Sequence, residues 1–166
     1  MSDQQRTLTI QEAKDLALEH HVAGRLPQAA NIYQEILKSD PEEPVALNLL
    51  GLVAHQMGNH ETAVDLITKA LALKPDYAQA HNNLGSTLQA LKKPEEALGN
   101  YRKALGIKPD YAEALYNMGV AFRDLGKTAD SISCYQRALA IQPGFAPAHN
   151  NLGIAFQELG KLEEAL

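Results

Sequence analysis

The chain has 166 residues, 45% of them hydrophobic but only 5% aromatic, with a formal net charge of −5. That apolar content is ample for a packed interior, whereas the lack of any Lys/Arg stripe excludes ordinary nucleic-acid binding. The single cysteine, Cys134, excludes a disulfide framework and any CxxC motif, and no apolar run approaches membrane-spanning length, so a soluble cytoplasmic protein is expected.

Met1–Thr9 reads as a polar leader. Beyond it one step organises everything: Pro41, Pro75, Pro109 and Pro143 stand 34 residues apart, as do Gly51, Gly85, Gly119 and Gly153. A fixed period of this length marks a stacked helix–turn–helix array. The repeats span 10–43, 44–77, 78–111 and 112–145, with a truncated fifth at 146–166.

Within each repeat the first helix carries a large apolar residue at position 7 (Leu16, Leu50, Leu84, Met118, Leu152) and Ala or Gly at position 8 (Ala17, Gly51, Gly85, Gly119, Gly153). Position 20, on the second helix, is small: Ala29, Ala63, Ala97, Ser131 and Ala165. Small residues on both helices predict a close backbone approach, with Tyr33, Ile67, Tyr101 and Tyr135 at position 24 filling the remaining volume.

Gly24, Gly58, Gly126 and Gly160 are expected to stop the first helix of their repeats, and the proline series to stop the second. Repeat 3 has Lys92-Lys93-Pro94 at its turn, which lacks the glycine but places a proline for the first turn of the next helix. Asp76 and Asp110 are N-cap candidates, with Gln79 and Glu113 three residues on. Ten helical segments in five pairs are therefore expected.

These positions resemble the tetratricopeptide repeat (TPR) family, whose pattern has Leu, Gly, Ala, an aromatic, Ala and Pro there. The resemblance covers residues 10–166; repeat 1 departs from it most, with Ala17 for the glycine and Ile36 for the small residue at position 27. It implies an all-α solenoid of stacked antiparallel helix pairs with a right-handed superhelical sense. Repeat 5 stops before its aromatic and proline positions, so the chain is expected to be part of a longer array. Its uncovered side chains (Leu152, Phe156, Leu166) are expected to fray or to meet another copy of the chain.

The resemblance also implies that the first helices line a concave groove that binds a protein or peptide. The candidate groove residues are Asn48, Leu52, Asn82, Asn83, Ser86, Tyr116, Asn117, Val120, Asn150, Asn151 and Ile154. Asparagine is a poor helix-interior residue, so its recurrence at position 6 (Asn83, Asn117, Asn151) calls for a reason. A carboxamide offers donors and an acceptor that match a peptide group, and the series is similar to the asparagine ladders of O-linked N-acetylglucosamine transferase and kinesin light chain arrays. The competing explanation is hydrogen bonding within the stack.

Two functions follow: an interaction scaffold, or the substrate-selecting arm of a larger glycosyltransferase or sulfotransferase. Nothing in the sequence supports catalysis, a cofactor or a metal in this chain itself. Gly126-Lys127-Thr128 lacks the first glycine and the strand of a phosphate-binding loop, and so reads as a turn between helices. The histidines make no ligand spacing, His81 and His149 reading as partly buried packing residues, and Cys134 reads as an inert thiol. A chaperone-tail carboxylate clamp fails, because after Lys14 its asparagine positions hold Leu18 and Leu49 and its cation positions hold Gln79 and Asn83.

Overall fold

The computed structural model describes residues 9–164, and side chains as far as Gly160. The chain divides into two compact units between Pro75 and Asp76. No strand occurs among the described residues, and the all-α class expected from the repeat pattern is what each unit shows.

Unit 1 holds α1 (Ile10–Val22), α2 (Leu26–Ser39), α3 (Pro44–Gln56) and α4 (His60–Leu73), each packed against the next. Thr9 caps α1 through a capping box with Glu12, a signal the sequence reading passed over. Ala17, Ala29, Tyr33, Ile36, Ala46, Leu50 and Val53 form one buried cluster. The small residues at positions 8 and 20 and the aromatic at 24 thus meet in repeat 1 despite its departures from the pattern.

Unit 2 holds α5 (Ala78–Ala90), α6 (Pro94–Ile107), α7 (Ala112–Asp124), α8 (Thr128–Ile141) and α9 (Ala146–Glu164). Consecutive helices pack pairwise, and the first helices of its repeats, α5, α7 and α9, also touch in series. That second set of contacts places one side of each first helix along a common face.

The close approach has a definite geometry. A Cβ built on Gly85 would stand 2.5 Å from the Tyr101 ring, one on Gly119 would stand 2.5 Å from Tyr135, and one on Gly51 would stand 2.6 Å from Ile67. Real side chains do not tolerate such distances, so position 8 is small because the position-24 side chain lies across it. All three of those large side chains are fully buried.

The turns follow the same economy. Gly24, Gly58 and Gly126 adopt left-handed φ of +72°, +82° and +71°, which ends α1, α3 and α7. Repeat 3 makes the same turn without glycine: Lys92 takes φ of +61° and Pro94 opens α6. The second helices end two residues before each proline of the series, at Ser39, Leu73, Ile107 and Ile141.

Two expectations are corrected. Nine helices, not ten, occur among the described residues, because α9 runs through Gly160 without breaking. A glycine ends a helix only where the chain turns into a packed partner, and no helix returns along α9 among the described residues. Asp76 and Asp110 are not caps; the N-cap residues are Tyr77 and Tyr111, without side-chain cap bonds. Glu113 instead accepts a hydrogen bond from Asn82 Nδ2 at 3.2 Å, so its carboxylate is spent between repeats.

Candidate functional site

The serial contact of α5, α7 and α9 brings the asparagine positions of neighbouring repeats together. Asn117 Nδ2 donates to Asn82 Oδ1 at 3.0 Å and, at 3.4 Å, to Ser86 Oγ. Asn151 Nδ2 donates to the Tyr116 hydroxyl at 3.2 Å. In both cases position 6 reaches back 35 residues to position 5 of the preceding repeat. A second row uses the same offset from the far end of the helices: Gln89 Nε2 donates to Asp124 Oδ2 at 3.1 Å, and in unit 1 His21 Nε2 pairs with Gln56 Oε1 at 2.8 Å.

The asparagine recurrence therefore has a structural cause within unit 2. On α7 and α9 a carboxamide at position 6 supplies the donor that ties the helix to the first helix before it. Side chains that only pack could not fix the register between helices as specifically, since each such bond is lost if the helices slide.

The candidate groove residues divide by exposure. Asn48 and Asn82 are each only 1% exposed and lie in the packed interior. At these two repeats position 5 falls into the seam between helices, whereas Tyr116 and Asn150 at the same position are not buried. Leu52, Asn83, Ser86, Tyr116, Asn117, Val120 and Asn151 are half-buried, while Asn150 and Ile154 are exposed.

Several of the half-buried residues serve the stack as well. Tyr116 and Val120 pack with Leu152 against Ile132, Tyr135 and Ala155, and the Tyr116 ring lies 5.9 Å from that of Tyr135 and 5.1 Å from that of Phe145. Ser86 Oγ donates to the Asn82 carbonyl at 3.2 Å. Tyr101, which covers Gly85, directs its hydroxyl to Gln89 Oε1 at 2.5 Å and towards Ser86 Oγ at 3.4 Å. Burial raises this hydroxyl above the ordinary phenol range, so it stays a donor under all physiological conditions. No sequence signal announced the Tyr101–Gln89–Asp124 chain, because it needs three helices to be in place.

The residues of chemically reactive type are otherwise engaged. Gly126-Lys127-Thr128 is the α7–α8 turn, with Thr128 buried as the first residue of α8. Cys134 is 4% exposed, and burial pushes its thiol up to about 11, which keeps it protonated and unreactive. His81 is buried, with Nδ1 3.3 Å from Asn100 Oδ1, whereas His149 is exposed and bonds the Pro143 carbonyl at 2.7 Å. Among the described residues no three His, Cys, Asp or Glu side chains gather as a metal site, and no helix is long and apolar enough to cross a membrane.

Solved structures of similar shape agree with this architecture. The crystal structure of PilW, a widely conserved type IV pilus biogenesis factor, is 28% identical, with a TM-score of 0.85 over 96% of this chain and 74% of that one. MamA is 26% identical, with a TM-score of 0.76 over 90% of this chain and 87% of that one. The first TPR of Spaghetti (RPAP3), bound to an HSP90 peptide, is 26% identical, with a TM-score of 0.69 over 73% of this chain and 96% of that one. A comparison with curated protein sequences found no match. Tetratricopeptide repeat models match residues 42–110 and 76–144, and a further one matches residues 134–166. The chain belongs to the tetratricopeptide repeat family.

Proposed function

We propose that this chain is a protein-interaction scaffold, without catalysis of its own, that holds an extended peptide segment along the first helices of unit 2. The observation that carries this reading is the line of half-buried and exposed side chains on α5, α7 and α9: Asn83, Ser86, Asn117, Val120, Asn150, Asn151 and Ile154. It combines carboxamides with aliphatic surface, which suits peptide groups alternating with apolar side chains. Asn117 spends its amide nitrogen on Asn82 and Ser86, and its Oδ1 accepts no bond among the described residues, which leaves that oxygen for a peptide N–H.

The similar TPR of Spaghetti holds an HSP90 peptide, which supports peptide binding as the kind of function. The ligand here is of a different type from a clamped carboxylate tail, since Leu18, Leu49, Gln79 and Asn83 occupy the clamp positions. The asparagine row also supports a second reading, in which the same face selects protein substrates for a glycosyltransferase or sulfotransferase.

The test is selection of a random-peptide phage library on the purified chain, followed by titration of a selected peptide. Ile154→Asp changes an exposed side chain that is 45% accessible, so it should leave melting unchanged and weaken binding about tenfold, as expected for an interface aliphatic worth about 1.4 kcal/mol. Undiminished affinity in both Ile154→Asp and Asn83→Ala would place the peptide on another surface. Contact between copies belongs to this proposal too. Leu152 is half-buried and Phe156 is 50% exposed on α9, while Leu166 lies outside the described residues. Sedimentation should show a concentration-dependent dimer that Phe156→Asp removes; a dimer that survives would be formed elsewhere.

A further inference from the structure

His55 and His60 are held differently from the histidines of unit 2. In unit 2, His81 and His149 each use a ring nitrogen on an oxygen acceptor. In unit 1, His55 closes the last turn of α3 and His60 opens α4, with ring centroids 5.0 Å apart and planes tilted by 48°. The Nδ1 atoms of both rings are buried and meet no hydrogen-bond partner among the described residues. They flank the Met57–Asn59 turn, which is held by Gly58 N–H to the His55 carbonyl at 3.0 Å and Asn59 N–H to the Ala54 carbonyl at 2.8 Å.

We propose that the His55–His60 pair is a proton-operated latch on the α3–α4 turn: with both rings neutral the turn is closed, and protonation opens it before the rest of the chain unfolds. A neutral imidazole can leave Nδ1 as a bare lone pair at modest cost. An imidazolium must carry a proton on both nitrogens, so each buried Nδ1 would become a charged donor with no acceptor. The two cations would also face each other across one turn.

The surroundings offer little relief. The ionisable groups on the helices packed against α3 are Tyr33, Glu35 and Lys38 on α2, the last two pairing with each other at 2.6 Å, and His60, Glu61, Asp65 and Lys69 on α4. From α1, His21 approaches through its bond to Gln56. Of all these, His60 alone acts on His55. Burial first, and then His60, hold the His55 ring below its ordinary value of 6.5. The sign follows: a base whose folded value is depressed stabilises the fold at higher pH and loses that contribution as pH falls through the unfolded value towards the folded one. The window is therefore the ordinary histidine range and just below it.

The α7–α8 turn supplies an internal control, since Gly126 and Lys127 make the same two backbone bonds, to Arg123 and Phe122, with no histidine nearby in sequence. Amide hydrogen exchange of the intact chain is read at Gly58/Asn59 and at Gly126/Lys127 from about pH 7.5 to about pH 5.5, corrected for intrinsic rates. Protection at Gly58 and Asn59 should fall at least about tenfold relative to Gly126 and Lys127. Parallel behaviour of the two turns in the unaltered chain would overturn the proposal. His60→Gln should remove most of the difference; an undiminished difference in that variant would overturn the assignment to the pair.

Discussion

The stretch Ala78–Gly85 and the stretch Ala146–Gly153 read AQAHNNLG and APAHNNLG, identical at all but the second residue. Both begin a first helix, α5 in one case and α9 in the other. In α5 the histidine, the first asparagine, the leucine and the glycine are buried; in α9 the histidine, the first asparagine and the glycine are exposed and the leucine is half-buried. The partners explain the difference. Tyr101 of α6 lies across Gly85, Asn100 of α6 meets His81, and Glu113 and Asn117 of α7 hold Asn82. A Cβ built on Gly153 meets nothing within 4 Å among the described residues. Identical residues thus carry different stabilities, because burial energy belongs to the pair of surfaces and not to one of them.

That comparison can be broken by paired substitutions, measured as shifts in urea unfolding. Leu84→Ala should cost about 2–5 kcal/mol, since it opens a cavity between α5 and its partners, whereas Leu152→Ala should cost less than half as much. Equal costs would mean that α9 is as well covered as α5. Gly85→Leu should cost at least about 1–3 kcal/mol by forcing a side chain into the Tyr101 ring. Gly153→Leu meets open space among the described residues and should cost nothing; comparable losses at the two sites would refute the close-approach account.

Asn117→Ala sharpens the asparagine question. It strands the buried Asn82 carboxamide oxygen, so a cost of about 1–3 kcal/mol is expected before any ligand is present. A neutral result would show that the inter-repeat bond is weak and that the asparagine is retained for ligand contact alone. The smallest effect is a gain: Gly153→Ala replaces an exposed mid-helix glycine and should stabilise by about 0.5–1 kcal/mol. A loss there would reveal a close neighbour at Gly153 that the fold does not show.

Much of the architecture was legible without coordinates. The 34-residue step located all the turns from α1 to α8, including the one at Lys92-Lys93-Pro94, because prolines and left-handed turn residues act through backbone sterics that are local to the chain. The small residues at positions 8 and 20 announced close packing for the same reason: volume is a property of the residue itself. Legibility stopped where a residue had two possible uses. Gly160 has the composition of a helix stop yet lies within α9, and Asp110 with Glu113 has the spacing of a capping box yet Glu113 serves Asn82.

The candidate site was legible as a set of positions but not as a set of roles. Sequence periodicity alone determined that Asn82, Asn83, Asn117 and Asn151 recur along first helices. Only the tertiary structure decided that Asn82 is buried, that Asn117 and Asn151 donate to the preceding repeat, and that Ile154 faces outward. The same holds for His55 and His60, whose sequence spacing suggested nothing until the turn set their rings side by side. Backbone preferences are written one residue at a time, whereas hydrogen-bond partnership and burial depend on which distant residue arrives, and that is settled when the helices pack.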